Sequence, residues 1–481
     1  MQFNQPSTLK HPAGLPILFS AEMWERFGFY CVQSLLVLYL TQKLLWTDKS
    51  SYELFSAFSA LIYATPIIGG FLADKIIGYR YAIIIGAILY IFGYFAMGSS
   101  NPHLFNFALA ALITGNGFFK PNVSSLLGKL YDDNDSRRES GFTWFYMGIN
   151  LGSFSGPLVC SAIAVNISWH LAFMTAGVGM VFSLFICLFG FKKLGNKGLP
   201  PVKSSTTTKM LFVVILLGCT YLIGVLLSHD KLVSNILIVL EGLAFLFILG
   251  YSLFEKDKQQ RHRLMALIIL MIFSILFWAL FVQMFSSFTL FTQRNIDRNF
   301  FGHEIPTGMF SSIEPFFIIS FAPLFAILWM KLNQAHIRFN PSVSMKFAIA
   351  LISIGCAFLS LCIGIKYAGI VHLVPMGFMV WGYFLLTVGE LLLSPIGLSA
   401  VTALAPPKLT GMVMGVWFLS LSAAYAIGGK LADLTSMPKG LTLPHETGPV
   451  YFSNFLHFGS ITVLIGLILA LFSTFLNRMM K

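Results

Sequence analysis

Fourteen long, predominantly apolar stretches follow one another along the chain, and nothing else in the sequence narrows the fold as much. They lie near 15–41, 53–74, 80–99, 103–128, 141–165, 169–191, 210–228, 233–254, 264–291, 309–330, 345–365, 371–404, 410–429 and 451–477. An α-helix needs about 20 apolar residues to cross the hydrocarbon core of a bilayer, and each stretch is near that length. Strands of a membrane barrel would instead alternate apolar and polar residues with a period of two, and these stretches do not. Only 10% of the 481 residues are charged, against roughly 25% in soluble domains. Such a chain cannot cover its surface for water. The sequence therefore predicts an all-α polytopic membrane protein with the lipid bilayer as its solvent.

The formal charge of +12 does not point to nucleic acid. When the loops alternate between the two faces of the membrane, Arg137, Arg138, Lys192, Lys193, Lys197, Lys256, Lys258, Arg261 and Arg263 fall on the face of the termini. Fewer basic residues, among them Lys43, Lys49, Arg294, Arg298 and Lys366, fall on the other. Basic loops stay on the cytoplasmic side, so the expected location is the cell (inner or plasma) membrane with both termini cytoplasmic. The six cysteines all sit in apolar stretches without CxxC spacing and read as small hydrophobic residues of a bundle. The first stretch is too long and too charged for a cleavable signal peptide. The loops are too short for a soluble domain, and no obligatory protein partner is implied.

A basic linker, KKLGNKGLPPVKSSTTTK (192–209), and a charged stretch, EKDKQQRHR (255–263), punctuate the chain. They divide it into a six-helix bundle (1–193), a linker with an inserted helical pair (194–259) and a second six-helix bundle (260–481). Two six-helix halves with a solute site between them near the midplane are common among secondary transporters. A channel or a scaffold would have the same hydropathy, so the polar residues inside the helices must discriminate.

Glu22, Glu25 and Arg26 are spaced i, i+3, i+4 on the first helix and share one face. A charge at mid-bilayer costs roughly 2.5–3.5 kcal/mol on insertion scales, so three together must pair or line a wet cavity. Lys120, inside the fourth stretch, is the natural partner. A structural ion pair is the plainer reading; a proton relay coupled to an anionic group of a solute is the functional one. In the second half, Glu390 has long apolar flanks and must face the interior, where it suits an ammonium group. Positive charge on one half and negative on the other fit a zwitterionic solute and disfavour a passive pore. Glu314, near the start of an apolar run, is either interfacial or part of that cavity. Glu241 lies in the inserted pair without a functional assignment. Asp74, Lys75 and Arg80 cluster at the turn between the second and third helices, where they can clamp a neighbouring helix. No ATP-binding loop, HExxH, GxSxG or Cys/His cluster is present, so neither an enzyme, a metal site nor a cofactor is expected.

These residues resemble one family, the proton-dependent oligopeptide transporters of the major facilitator superfamily. Its first-helix motif, ExxERFxYY, stands here as EMWERFGFY (22–30). GGFLADKIIGYRYAIIIGAILYIFG (69–93) and FTWFYMGINLGSF (142–154) resemble its two signatures. GFFKPNVSSLLGKLYD (117–132), GELLLSPIGLS (389–399) and MVMGVWFLS (412–420) extend the likeness through both halves. The resemblance implies the major-facilitator fold with an inserted pair and proton-coupled symport of di- and tripeptides, with protons and short peptides as partners. It implies that Glu22, Glu25, Arg26 and Lys120 couple protons and that Asp74, Lys75 and Arg80 gate. It further implies that Tyr30, Tyr63, Lys120, Asn150, Trp278, Glu390, Ser394 and Trp417 line the peptide pocket, with Glu390 taking the amino terminus.

Four positions depart from the family pattern. Phe29 stands where the motif has Tyr, Gln33 where many members have Arg, Val282 where many have an acid, and Glu314 where Asn is common. One carboxylate lost and another gained suggests that Glu314 joins the proton or amine chemistry of the second half. The departures also leave open a symporter of another small zwitterionic or anionic solute.

Overall fold

The computed structural model describes residues 10–99, 101–132, 135–201, 206–334, 341–369, 372–406, 409–438 and 440–480. Residues 202–205 of the basic linker therefore lie outside the described residues. Fourteen long helices occupy the fourteen expected stretches: α1 (Leu15–Leu38), α2 (Asp48–Ile77), α3 (Tyr79–Gly98), α4 (Pro102–Gly128), α5 (Arg138–Asn166), α6 (Trp169–Leu194), α7 (Thr206–Leu227), α8 (Asp230–Phe254), α9 (Lys258–Asn295), α10 (Thr307–Leu332), α11 (Val343–Ala368), α12 (Met376–Leu404), α13 (Thr410–Asp433) and α14 (Pro444–Met480). Twelve of them are long and apolar enough to cross a membrane by composition alone; the other two are α1 and α4, which carry Glu22, Glu25, Arg26 and Lys120. An even number of crossings places the start of α1 and the end of α14 on one face, called here the terminal face; the opposite one is the far face.

Local chemistry sets the helix ends. Thr47, Asn101, Ser168, Asp257 and Ser342 each accept a backbone N–H of the first turn of α2, α4, α6, α9 and α11, the role for which short polar side chains are preferred. α14 begins at Pro444, earlier than the apolar run, because a proline tolerates the first helical turn and the Glu446 carboxylate accepts the Leu443 N–H. α12 begins at Met376, later than expected, because Val374 and Pro375 pair in parallel with Ile296 and Asp297. This two-residue ladder and a small hairpin, Asn299–Phe300 with His303–Glu304, were not anticipated. On the terminal face, Arg137 bonds Asp135 and the carbonyl of Lys10. The guanidinium holds the Asp135 carboxyl down at about 2.

α9 is interrupted by a 3₁₀ turn, Val282–Phe285. Irregular backbone at membrane depth survives only where protein satisfies it, and Gln283 does so. Its amide donates to the carbonyls of Ala279 and of Gly428 on α13, at 3.0 and 2.8 Å, and its oxygen accepts from Ser287 at 2.7 Å.

Helices α1 to α6 pack chiefly on one another, as do α9 and α11 to α14, and the two sets meet along α2 with α13 and α5 with α10. Of the inserted pair, α7 lies against α4, while α8 lies against α13, α9 and α2. Small residues set the closest crossings, as expected where lipid supplies no hydrophobic drive between helices. At the α11–α14 crossing, a Cβ on Gly355 would stand 2.9 Å from the Gly459 carbonyl oxygen, and one on Gly459 2.8 Å from that of Gly355. Gly459→Val should thus cost about 1–3 kcal/mol of overpacking and lower the thermal midpoint in detergent. Gly242→Val, where nothing lies within 4 Å, should leave it in place; equal midpoints would contradict this account of the crossing.

Candidate functional site

The charged residues of α1 and α4 form one buried network. Arg26 bonds Glu25 through two nitrogens, at 2.5 and 2.6 Å, the bidentate geometry that makes such pairs strong. Its Nε also stands 3.6 Å from Glu22. Lys120 reaches across from α4 to Glu22 Oε1 at 2.5 Å. Both carboxylates are fully buried, whereas the Lys120 side chain is 30% exposed, so the network opens to solvent at its lysine. The second oxygen of Glu22 is buried without a hydrogen-bond partner. The helical spacing and the buried charge of Lys120 were thus sufficient to bring these four together.

Two members were not foreseen. The Tyr90 hydroxyl of α3 donates to Glu25 at 2.6 Å. Asn116 of α4 takes Arg26 at 3.4 Å and gives its amide to the carbonyl of Ile62 on α2 at 2.8 Å. Both are polar groups inside apolar helices, which is the signal that could have found them. Phe29 acquires a role here as well, since the Arg26 guanidinium lies 4.4 Å from its ring centroid. Where the motif has a hydroxyl, this chain places an aromatic face on the cation. Gln33 turns away into the first bundle, fully buried and 3.4 Å from Ser59.

The remaining sequence-predicted residues stand on helices of both sets. Tyr63 of α2 meets Tyr425 of α13, with hydroxyls 3.1 Å and ring centroids 4.6 Å apart; Tyr425 had no sequence signal. Tyr30 packs on Phe29 and on Phe285 of α9. The Asn150 amide is spent on the carbonyl of Tyr146, at 2.9 Å. Glu390 and Ser394 are one turn apart on α12, and the next turn, at Gly397, receives the edge of the Trp417 ring. Trp417 is buried, and Trp278 stands among Phe277 and Phe281 with its indole nitrogen unpartnered. Glu314, on the first turns of α10, is buried and hydrogen-bonds to Glu390. Tyr30 and Tyr63 lie within electrostatic range of Arg26, Glu314 and Glu390 alike, so positive and negative ends face one cavity. Val282 packs its methyl on Gly428, an apolar contact where many relatives have an acid.

A group of hydrogen bonds joins the two sets of helices between mid-helix and the far face. Asp48 of α2 and Arg294 of α9 form two, at 2.6 and 2.7 Å, and the Met437 N–H donates to the same carboxylate. Lys49 pairs with Asp433. Ser56 donates to the Tyr425 carbonyl, Ser422 to that of Ala60 and Ser312 to that of Phe154. These contacts close the far face. Asp74 accepts from the Tyr79 hydroxyl, Lys75 is exposed, and Arg80 holds the linker carbonyls of Gly195 and Lys197 at 2.5 and 2.7 Å.

The far-face latch predicts a population shift. Removing one partner of a buried ion pair costs about 3–5 kcal/mol, and the Asp48 and Arg294 side chains are only 5% and 13% exposed. In Arg294→Ala, spin labels at the exposed Lys43 and Lys366 should show a longer-distance population by double electron–electron resonance. An unchanged distance distribution would mean that other contacts hold the face closed.

A family model described as the POT family matches residues 80–447. The chain is 33% identical to dipeptide and tripeptide permease B of Yersinia enterocolitica, over 98% of its own length and 96% of that protein's. It is 32% identical to dipeptide and tripeptide permease A of Salmonella typhi, over 98% and 94%. Among solved structures, a mutant POT peptide transporter in complex with alafosfalin superposes with a TM-score of 0.86 at 32% identity, covering 99% of this chain and 97% of that one. A POT family transporter in complex with 5-aminolevulinic acid superposes at 0.84 with 28% identity and 99% of each chain covered. Family model, relatives and superposed folds agree with the motifs of the first helix and the two signatures: this multi-pass membrane chain belongs to the POT family and has its major-facilitator fold.

Proposed function

We propose that this protein imports di- and tripeptides together with protons by alternating access of two six-helix bundles, 1–193 and 260–481, with 194–259 as linker and inserted pair. The observation that carries the reading is the Glu22–Lys120 pair, fully buried at the acid and open to the cavity at the lysine. A proton placed on Glu22 removes the charge that holds Lys120, and the freed ammonium can then take the carboxylate of a peptide. The unpartnered Glu22 oxygen is where that proton would sit. Arg26 stays bound to Glu25, so the remaining charges are balanced while the lysine is free. Glu390 takes the peptide amino terminus from the other half, with Tyr30, Tyr63, Asn150, Trp278, Ser394 and Trp417 as the pocket around it. The relatives named as dipeptide and tripeptide permeases support the substrate class.

The basic loops set the terminal face in the cytoplasm of a cell membrane, so the closed far face is external and the described state faces inward. Release of peptide and proton to the cytoplasm lets Lys120 return to Glu22. With the cavity empty and the network neutral again, the halves rock back, and Asp74, Lys75 and Arg80 act as the gate when the terminal face closes.

A second reading, a symporter of another small zwitterion, draws on Gln33. Its side chain is bound to Ser59 inside the bundle and cannot anchor a peptide carboxyl terminus. The POT family transporter solved in complex with 5-aminolevulinic acid supports this reading. Purified protein in liposomes with an inward proton gradient should accumulate labelled alanyl-alanine. Glu22→Gln should lose at least tenfold of that accumulation, yet keep peptide exchange without a gradient, because the substitution fixes the neutral form. Accumulation of 5-aminolevulinic acid but not of the dipeptide would favour the second reading.

A further inference from the structure

The amine end of the cavity holds two carboxyls rather than one. Glu314, on the first turns of α10, and Glu390, in the middle of α12, share a side-chain hydrogen bond. Glu314 is 7% exposed, and the second oxygen of Glu390 is buried without a partner. Among the described residues neither carboxyl forms an ion pair with Lys, Arg or His. The titratable groups facing them are phenols: Tyr30 of α1, Tyr63 of α2, Tyr146 of α5, Tyr383 of α12 and Tyr425 of α13. Arg26, the cation that shares Tyr30 and Tyr63 with them, is committed to Glu25 by two bonds.

Ionised carboxylates only accept hydrogen bonds, so a hydrogen bond between two of them requires one proton held in common. The pair then carries one negative charge. A peptide with neutral side chains brings one ammonium, and the two charges cancel. If the pair gave up its proton, one uncompensated negative charge would remain in a buried site, the arrangement that burial penalises most. A peptide whose first residue has a second ammonium brings two positive charges, and both carboxylates can then be ionised. The displaced proton leaves to water in the cavity, and the net charge of the loaded site is the same in the two cases.

We propose that Glu314 and Glu390 form a proton-sharing pair that keeps its proton while a neutral peptide is carried, and that a second ammonium on the peptide's first residue takes that proton's place, the proton leaving on loading and being regained from the cytoplasmic side on release. The inference rests on the peptide–proton reading above and adds a proton site in the second half, separate from Glu22. It also makes the coupling ratio a property of the substrate.

Counting protons and peptides together tests it. Wild-type protein in liposomes containing a pH-sensitive dye is given labelled alanyl-alanine, lysyl-alanine or alanyl-lysine. The ratio of protons to peptide should be one lower for lysyl-alanine than for alanyl-alanine. Alanyl-lysine, whose extra ammonium is on the second residue, should match alanyl-alanine. In Glu314→Gln, alanyl-alanine should keep its wild-type ratio, and the difference between peptides should vanish. Equal ratios for the three peptides in wild type would overturn the proposal without any variant. So would a lysyl-alanine ratio that stays one below that of alanyl-alanine in Glu314→Gln. No alanyl-alanine uptake by folded wild type would instead overturn the peptide reading, and this inference with it.

Discussion

Everything in the central cavity follows from the cost of holding charge where water is scarce. Four ionisable side chains on α1 and α4 would each be penalised by lipid, and they offset that penalty by neutralising one another. Two acids and two bases make a set with no net charge, in which the arginine is doubly bonded and the lysine singly. That inequality matters. A balanced network tolerates one protonation only by releasing its most weakly held member, and Lys120 is the member that touches solvent. On the proposed reading, a proton on Glu22 would free Lys120 without leaving an unpaired charge in the interior. Tyr90 and Asn116 complete the set by holding Glu25 and Arg26 in place, so that the exchange is confined to Glu22 and Lys120.

Polar contacts join the halves on the far side of the site. From Tyr63 and Tyr425 to the far face, hydroxyl–carbonyl bonds and the buried Asp48–Arg294 pair bring α2 against α13, and Ser312 brings α10 against α5. The discontinuity in α9 belongs to the same device. Gln283 satisfies the broken turn with a bond to Gly428 of α13, so the break is held rigid against the helix that forms the closure. The latch pairs, Asp48 with Arg294 and Lys49 with Asp433, can be exchanged for solvation as the face opens, whereas the glycine crossings within each half cannot shift without clashes. Motion between rigid halves is what this distribution of contacts permits. The inserted helix α8 lies against both α2 and α13, with Lys231 on Glu53 and Asn235 on Lys430, so any such motion must carry it along.

The departures from the family pattern are understandable one by one. Phe29 exchanges a hydroxyl for a face on Arg26. Val282 fills the space at Gly428, and Gln33 is absorbed into the first bundle beside Ser59. Glu314 restores a carboxyl to the second half on a different helix, next to Glu390.

Length and apolarity of the helices, the pairing of charges on α1 with Lys120 and the family itself were all legible in the sequence. Each depends on spacing along one helix or on the penalty for charge in lipid, and both can be read residue by residue. Tyr425, the Asp48–Arg294 latch, the contact of Glu314 with Glu390 and the closed far face could not be read in that way. They join residues as far as several hundred positions apart, and their meaning depends on which helix faces which. Asp48 and Arg294 look like ordinary charges at helix ends until folding buries them against each other. The sequence by itself determined that this chain lives in a membrane and must neutralise its buried charges in pairs; only the tertiary structure decided which pairs those are and which face they close.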